Sequence, residues 1–91
     1  MSYSISYQQR AVNDYEQAVS WYKKRSKLAS ENFETSVDNR LEFLRADPAR
    51  YKKRYKEFYE VAIKKYPFSI LYIINEAERQ VVISSIYHHR R

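Results

Sequence analysis

A change of period at Pro48 constrains this chain more than any other feature. Ahead of it, Ala11, Tyr15, Ala18 and Tyr22 recur at helical spacing, with Val12 and Val19 widening the apolar stripe. Phe33, Val37, Leu41 and Leu44 repeat that spacing. Behind Pro48, Tyr59, Val61 and Ile63 alternate with Glu60, Ala62 and Lys64, the period of a strand. Phe68 to Ile74 is almost continuously apolar and reads as a central strand buried on both faces. Asn75 to Arg79 supplies a polar turn, and Val81 to Tyr87 is the last strand.

Ahead of the helices, Tyr3, Ile5 and Tyr7 alternate with Ser4 and Ser6 as a short half-buried strand. The first helix is expected from Gln8 to about Lys27. A break follows around Lys27, Leu28 and Ala29, with Ser30 as N-cap of the second helix. Proline disfavours helix in the residue before it, so the second helix ends ahead of Asp47-Pro48. The run from Arg50 to Lys56 is basic with interleaved tyrosines and reads as a loop leading into a strand. The expected order is β-α-α-β-β-β(-β) in a single α+β domain over residues 1–91. It comprises an N-terminal strand, an antiparallel two-helix hairpin covering one sheet face, and a C-terminal antiparallel sheet.

Composition narrows the chemistry. With 91 residues and 44% apolar content the chain builds one small core. Its cysteine count is zero, which excludes disulfides, thiolate metal sites and a cysteine nucleophile. Glycine is also absent, which excludes dinucleotide fingerprints and P-loops, where backbone must approach phosphate closely. No apolar run reaches the roughly 20 residues of a membrane span, and no charged-then-apolar leader opens the chain, so a cytoplasmic location is expected. Lys plus Arg number 17 against 11 Asp plus Glu, a net charge of +6 that suits nucleic acid, the ribosome or an acidic protein segment.

Several stretches, in order, carry a resemblance. Trp21-Tyr22 stands late in the first helix, and Leu28 and Phe33 follow it. Asp47-Pro48 stops the second helix, Tyr66-Pro67-Phe68-Ser69-Ile70-Leu71-Tyr72 opens the central strand, and Ile86-Tyr87-His88-His89-Arg90-Arg91 closes the chain. In this arrangement the chain resembles the RelE/ParE family of bacterial toxins over nearly its whole length. The resemblance implies a toxin of a type II toxin–antitoxin pair, a cognate antitoxin as partner, and a role of the kind seen in plasmid stabilisation.

Departures from the ribonuclease branch bear on the target. Where that branch places an arginine on the central strand stands Ser69, and basic residues of the preceding strand fall on Glu60 and Ala62, with Lys64 on their face as a substitute. The glycines often found between the helices are missing. The resemblance therefore implies the ParE-like branch, whose members act on DNA gyrase as inhibitors without cutting RNA. The alternative is a RelE-like, ribosome-dependent mRNA endonuclease (an mRNA interferase), and a further one is an inactive member serving only as a binding partner.

Metal-free RNA cleavage needs a base, an acid and cations for the phosphorane. For the endonuclease alternative the candidates are His88, His89, Lys64 and Arg90, since imidazole titrates near neutrality. Two adjacent side chains on a strand point to opposite faces, so both histidines cannot chelate one ion. No third His or Cys completes a zinc set, and neither metal nor cofactor is expected. Lys52, Lys53, Arg54 and Lys56, with Arg90 and Arg91, are the candidate contacts to nucleic acid or target. Tyr51 and Tyr55 are interleaved for stacking on bases. Trp21, beside Tyr22, is the candidate anchor for the antitoxin.

Overall fold

The computed structural model describes residues 2–90. The elements are β1 (Ser4–Tyr7), α1 (Gln9–Lys23), α2 (Lys27–Ala46), a short turn of 3-10 helix (Pro48–Arg50), β2 (Lys52–Tyr55), β3 (Phe58–Ala62), β4 (Phe68–Asn75) and β5 (Gln80–His88). They form one five-stranded sheet in the order β1-β5-β4-β3-β2. The last four strands are antiparallel neighbours, and β1 pairs with β5 in parallel.

The helical half follows its apolar stripes. Ala11 and Ala18 of α1 are buried, as are Phe33, Val37, Leu41 and Leu44 of α2. The break between the helices comes earlier than the sequence suggests: α1 stops at Lys23, and the N-cap of α2 is Ser26, not Ser30. Ser26 Oγ accepts from the Ala29 amide at 2.9 Å, satisfying one of the donors a helix start leaves open. Ser30 lies within α2 and donates its hydroxyl back to the Lys27 carbonyl. Asp47 ends α2 by leaving the helical region, with φ −157° and ψ 76°, ahead of Pro48.

An aromatic cluster joins the hairpin to the sheet. Phe33 lies 4.9 Å from Tyr22, 5.2 Å from Tyr66 and 5.2 Å from Phe68, centroid to centroid. Such ring pairs add to the burial of their area. Further along β4, the buried Tyr72 hydroxyl donates to the Pro48 carbonyl at 2.7 Å, tying the turn after α2 to the sheet.

The helices cover one face of the sheet only. Along β4, Phe68, Ile70 and Tyr72 are buried, whereas Leu71 and Ile73 are half-buried, so the central strand has one open face and is not enclosed on both. The basic run is also a strand and not a loop: Lys52–Tyr55 is the edge strand β2, paired with β3 through a two-residue turn and a register shift between Lys53 and Tyr55. Its cations and tyrosine are those of a solvent-exposed edge, where charge discourages pairing with another chain.

Without glycine, side-chain-bearing residues fill the left-handed positions of the turns. Lys56, Lys65 and Arg79 have φ of 49°, 72° and 48°, one in each hairpin turn. At the other edge, β1 pairs only with Gln80 to Ile83 of β5. Past that point Asp14 of α1 serves β5 in its place, accepting from the Ile86 amide at 3.1 Å and the Ser85 hydroxyl at 2.9 Å.

Candidate functional site

Strand alternation and register place residues from four strands on the open face, in two adjacent rows. Lys52 stands opposite Glu60, Ala62 opposite Ser69, and Ser69 opposite Tyr87. Lys52, Arg54, Glu60, Ala62 and Ser69 line a shallow basin of about 480 Å³.

Glu60 is the centre of this face. Arg54 Nη1 donates to its Oε1 at 2.6 Å, and the Tyr87 hydroxyl donates to its Oε2. Burial alone pushes the Glu60 carboxyl up, but the Tyr87 hydrogen bond and the Arg54 charge outweigh it and hold the group below the usual carboxylate range. The Tyr87 hydroxyl is shifted upward, by burial first and then by its bond to Glu60. The basin thus holds a carboxylate already paired to its nearest arginine.

Ser69 Oγ and His89 Nε2 are hydrogen-bonded at 2.7 Å. The His89 amide donates to the Pro67 carbonyl at 2.8 Å, and its ring lies 6.1 Å from that of Tyr87. His88 faces the other way, with its ring edge-on to Phe68 at 5.0 Å and its Nδ1 accepting from the Arg90 amide at 3.0 Å. The two histidines therefore serve opposite faces, and only His89 joins the basin.

The remaining candidates are dispersed. Strand β3 ends at Ala62, so Lys64 leaves the alternation and lies beside α2, away from Glu60 and Ala62. The structure does not bring Lys64 together with His89. Arg90 is exposed, and Arg91 lies outside the described residues. Lys53 is on the helix-side face, its Nζ 5.6 Å from the Tyr59 ring centroid, and Lys56 is in the β2–β3 turn. Trp21 is 41% exposed on α1 with the Arg25 guanidinium stacked on its ring, while Tyr22 points inward to the aromatic cluster.

Sequence reasoning singled out neither Tyr87 nor the Glu60–Arg54 pair as part of a site. The alternation of β3 and β5 carried a signal for the shared face, but the register that aligns them did not. Chemically, the network can bind and position. Ser69 and His89 have a hydroxyl and an imidazole in contact, and the Ser69 hydroxyl also hydrogen-bonds the Glu60 carboxylate and helps to hold it low. Among the described residues, no group of three or more His, Asp or Glu is placed to hold a metal ion, and no helix is long and apolar enough to cross a membrane.

A family model described as the ParE toxin of the type II toxin–antitoxin system parDE matches residues 5–91. Among curated proteins none matches the sequence. The fold is similar to that in the chromosomal ParDE toxin–antitoxin system of P. aeruginosa, with a TM-score of 0.80 at 11% identity over 96% of each chain. It is also similar to the RelBE2 toxin–antitoxin complex of Mycobacterium tuberculosis, with a TM-score of 0.68 at 18% identity over 97% of this chain and 99% of that one. The isolated RelE toxin of E. coli matches with a TM-score of 0.58 at 16% identity, over 99% of this chain and 87% of that one.

Proposed function

The chain belongs to the ParE toxin family of type II toxin–antitoxin systems, and from that premise we propose that it arrests bacterial growth by binding DNA gyrase in the cytoplasm, restrained by a cognate antitoxin. The observation that carries the choice of binding over cutting is Glu60. Cleavage of RNA builds negative charge on a phosphorane and needs unpaired cations beside it. Here the middle of the open face holds a carboxylate, and that carboxylate engages Arg54. Such a site repels the transition state that a ribonuclease must stabilise.

Antitoxin contact is assigned to the hairpin, where Trp21 stands exposed as an aromatic anchor. Binding there stabilises a small toxin by mass action. The test is supercoiling by purified gyrase with added toxin, alongside cellular mRNA during induced expression without antitoxin. Loss of supercoiling with intact early mRNA supports the reading. Rapid translation-dependent mRNA cleavage with normal supercoiling sinks it.

One observation favours the endonuclease as second reading: His89 reaches the basin and contacts Ser69. On that reading His89 is the acid or base and Lys52 the nearby cation, and His89→Ala abolishes mRNA cleavage while His88→Ala leaves it.

A further inference from the structure

A second concave site lies on the helix side of the molecule, away from the open face. Ser36, Asn39, Arg40 and Phe43 form one stripe of α2 at helical spacing, next to the stripe that is buried. With Lys64 and Lys65 of the β3–β4 turn they line a groove of about 300 Å³. Phe43 is 57% exposed there. The Arg40 guanidinium lies 5.7 Å from its ring centroid and 6.0 Å from that of Tyr51.

The chemistry of this lining is unusual for a surface that receives a protein. It offers three cations, an amide, a hydroxyl and one aromatic ring, with no carboxylate. None of Arg40, Lys64 and Lys65 is in an ion pair among the described residues. The cores of protein interfaces are depleted of charge, and an acidic segment would need an apolar pocket for its anchor. A groove of unpaired cations with an exposed ring matches single-stranded nucleic acid, which offers a phosphate for the cations and a π-face for the ring. Its volume is too small for a duplex and suits one nucleotide.

We propose that the groove between α2 and the β3–β4 turn binds single-stranded nucleic acid, with one base stacked on Phe43 and its phosphate on Lys64 and Lys65. Arg40 lies beside the same ring and adds a cation–π contact to the stacked base. Asn39 and Ser36 supply hydrogen bonds to the base edge. This site is separate from the basin around Glu60 and does not depend on whether gyrase is the target.

The test is fluorescence anisotropy of a labelled single-stranded oligothymidine with the full chain, at several salt concentrations. Phe43→Ala is expected to weaken binding roughly tenfold, as loss of one stacked base does. Lys64→Gln with Lys65→Gln is expected to lower the salt slope by about 0.7 for each cation removed. The control, Lys23→Gln with Lys24→Gln at the exposed end of α1, removes the same charge elsewhere and is expected to change affinity less than either. A photoreactive oligothymidine on the unmutated chain should crosslink to α2 at Phe43, which guards against misfolded variants. The proposal is overturned if the α1 control loses as much affinity as the groove variants, or if the crosslink maps elsewhere. Competition by polyglutamate as strong as that by unlabelled oligothymidine also overturns it, since the groove then takes acidic peptide.

Discussion

The Tyr87 hydroxyl donates to the Glu60 carboxylate across β4, joining two strands that are not neighbours in the sheet. Ser69 lies on the intervening strand, level with Tyr87. This bond, with the one from Arg54, gives the open face a fixed negative centre in a chain of net charge +6.

Removing that bond has a defined cost. Tyr87→Phe is expected to lower stability by about 1 kcal/mol, the usual net worth of such a hydrogen bond. It should also raise the Glu60 carboxyl toward its ordinary value. Because the folded state holds Glu60 low, its contribution is present at neutral pH and is lost as pH falls through the folded value. Urea unfolding below the ordinary carboxylate range should therefore show a shallower loss in Tyr87→Phe than in the unmutated protein. An unchanged acid limb would disprove the assignment.

Asp14 substitutes for a strand partner of β5, and its loss should be felt more strongly. Asp14→Ala leaves the Ile86 amide and the Ser85 hydroxyl without their acceptor. The expected cost is about 2 kcal/mol, in the range for hydrogen bonds to a charged group. Hydrogen exchange at Ile86 should accelerate well ahead of Val81, whose strand pairing with β1 is untouched.

Alkaline unfolding should report on Tyr15. Burial first, then the charges of Glu34 and Asp38, push its hydroxyl up to about 12. An unfolded tyrosine ionises near 10, so this contribution to stability is intact below that pH and is lost as pH rises toward the folded value. Tyr15→Phe should flatten the loss of stability between those values, measured by unfolding in buffered urea. An identical alkaline limb in both proteins would show that Tyr15 ionises freely.

The turns offer a stabilising change. Lys56 holds a left-handed φ of 49° with a side chain attached. Lys56→Gly relieves that cost while adding freedom to the unfolded chain, and the balance is expected to favour the fold by about 0.5 kcal/mol. A lower melting temperature would mean that the side chain contributes more than the backbone loses.

The type and order of the elements were legible because periodicity is local. Phe33, Val37, Leu41 and Leu44 announce a buried helical stripe by spacing alone, and all four are buried. The stop before Pro48 follows from one ring clash. Elsewhere local signals compete. Ser26 and Ser30 are both plausible caps, and only the geometry of the hairpin selects Ser26. The basic run from Arg50 to Lys56 has no apolar face to mark it as a strand, and it becomes one because β3 offers an edge to pair with.

An α+β chain of this family, with a positive charge and a helical hairpin ahead of a sheet, follows from the amino-acid order alone. Tertiary structure decided which side chains meet. Arg54, Glu60, Ser69, Tyr87 and His89 come from four strands and a tail, and only their pairing register sets them on one face. The turn after Ala62 carries Lys64 away from that face, and the pleat divides His88 from His89. Alternation tells which residues share a face of their own strand, but register is set by contacts between distant segments, and a one-residue slip would exchange the faces.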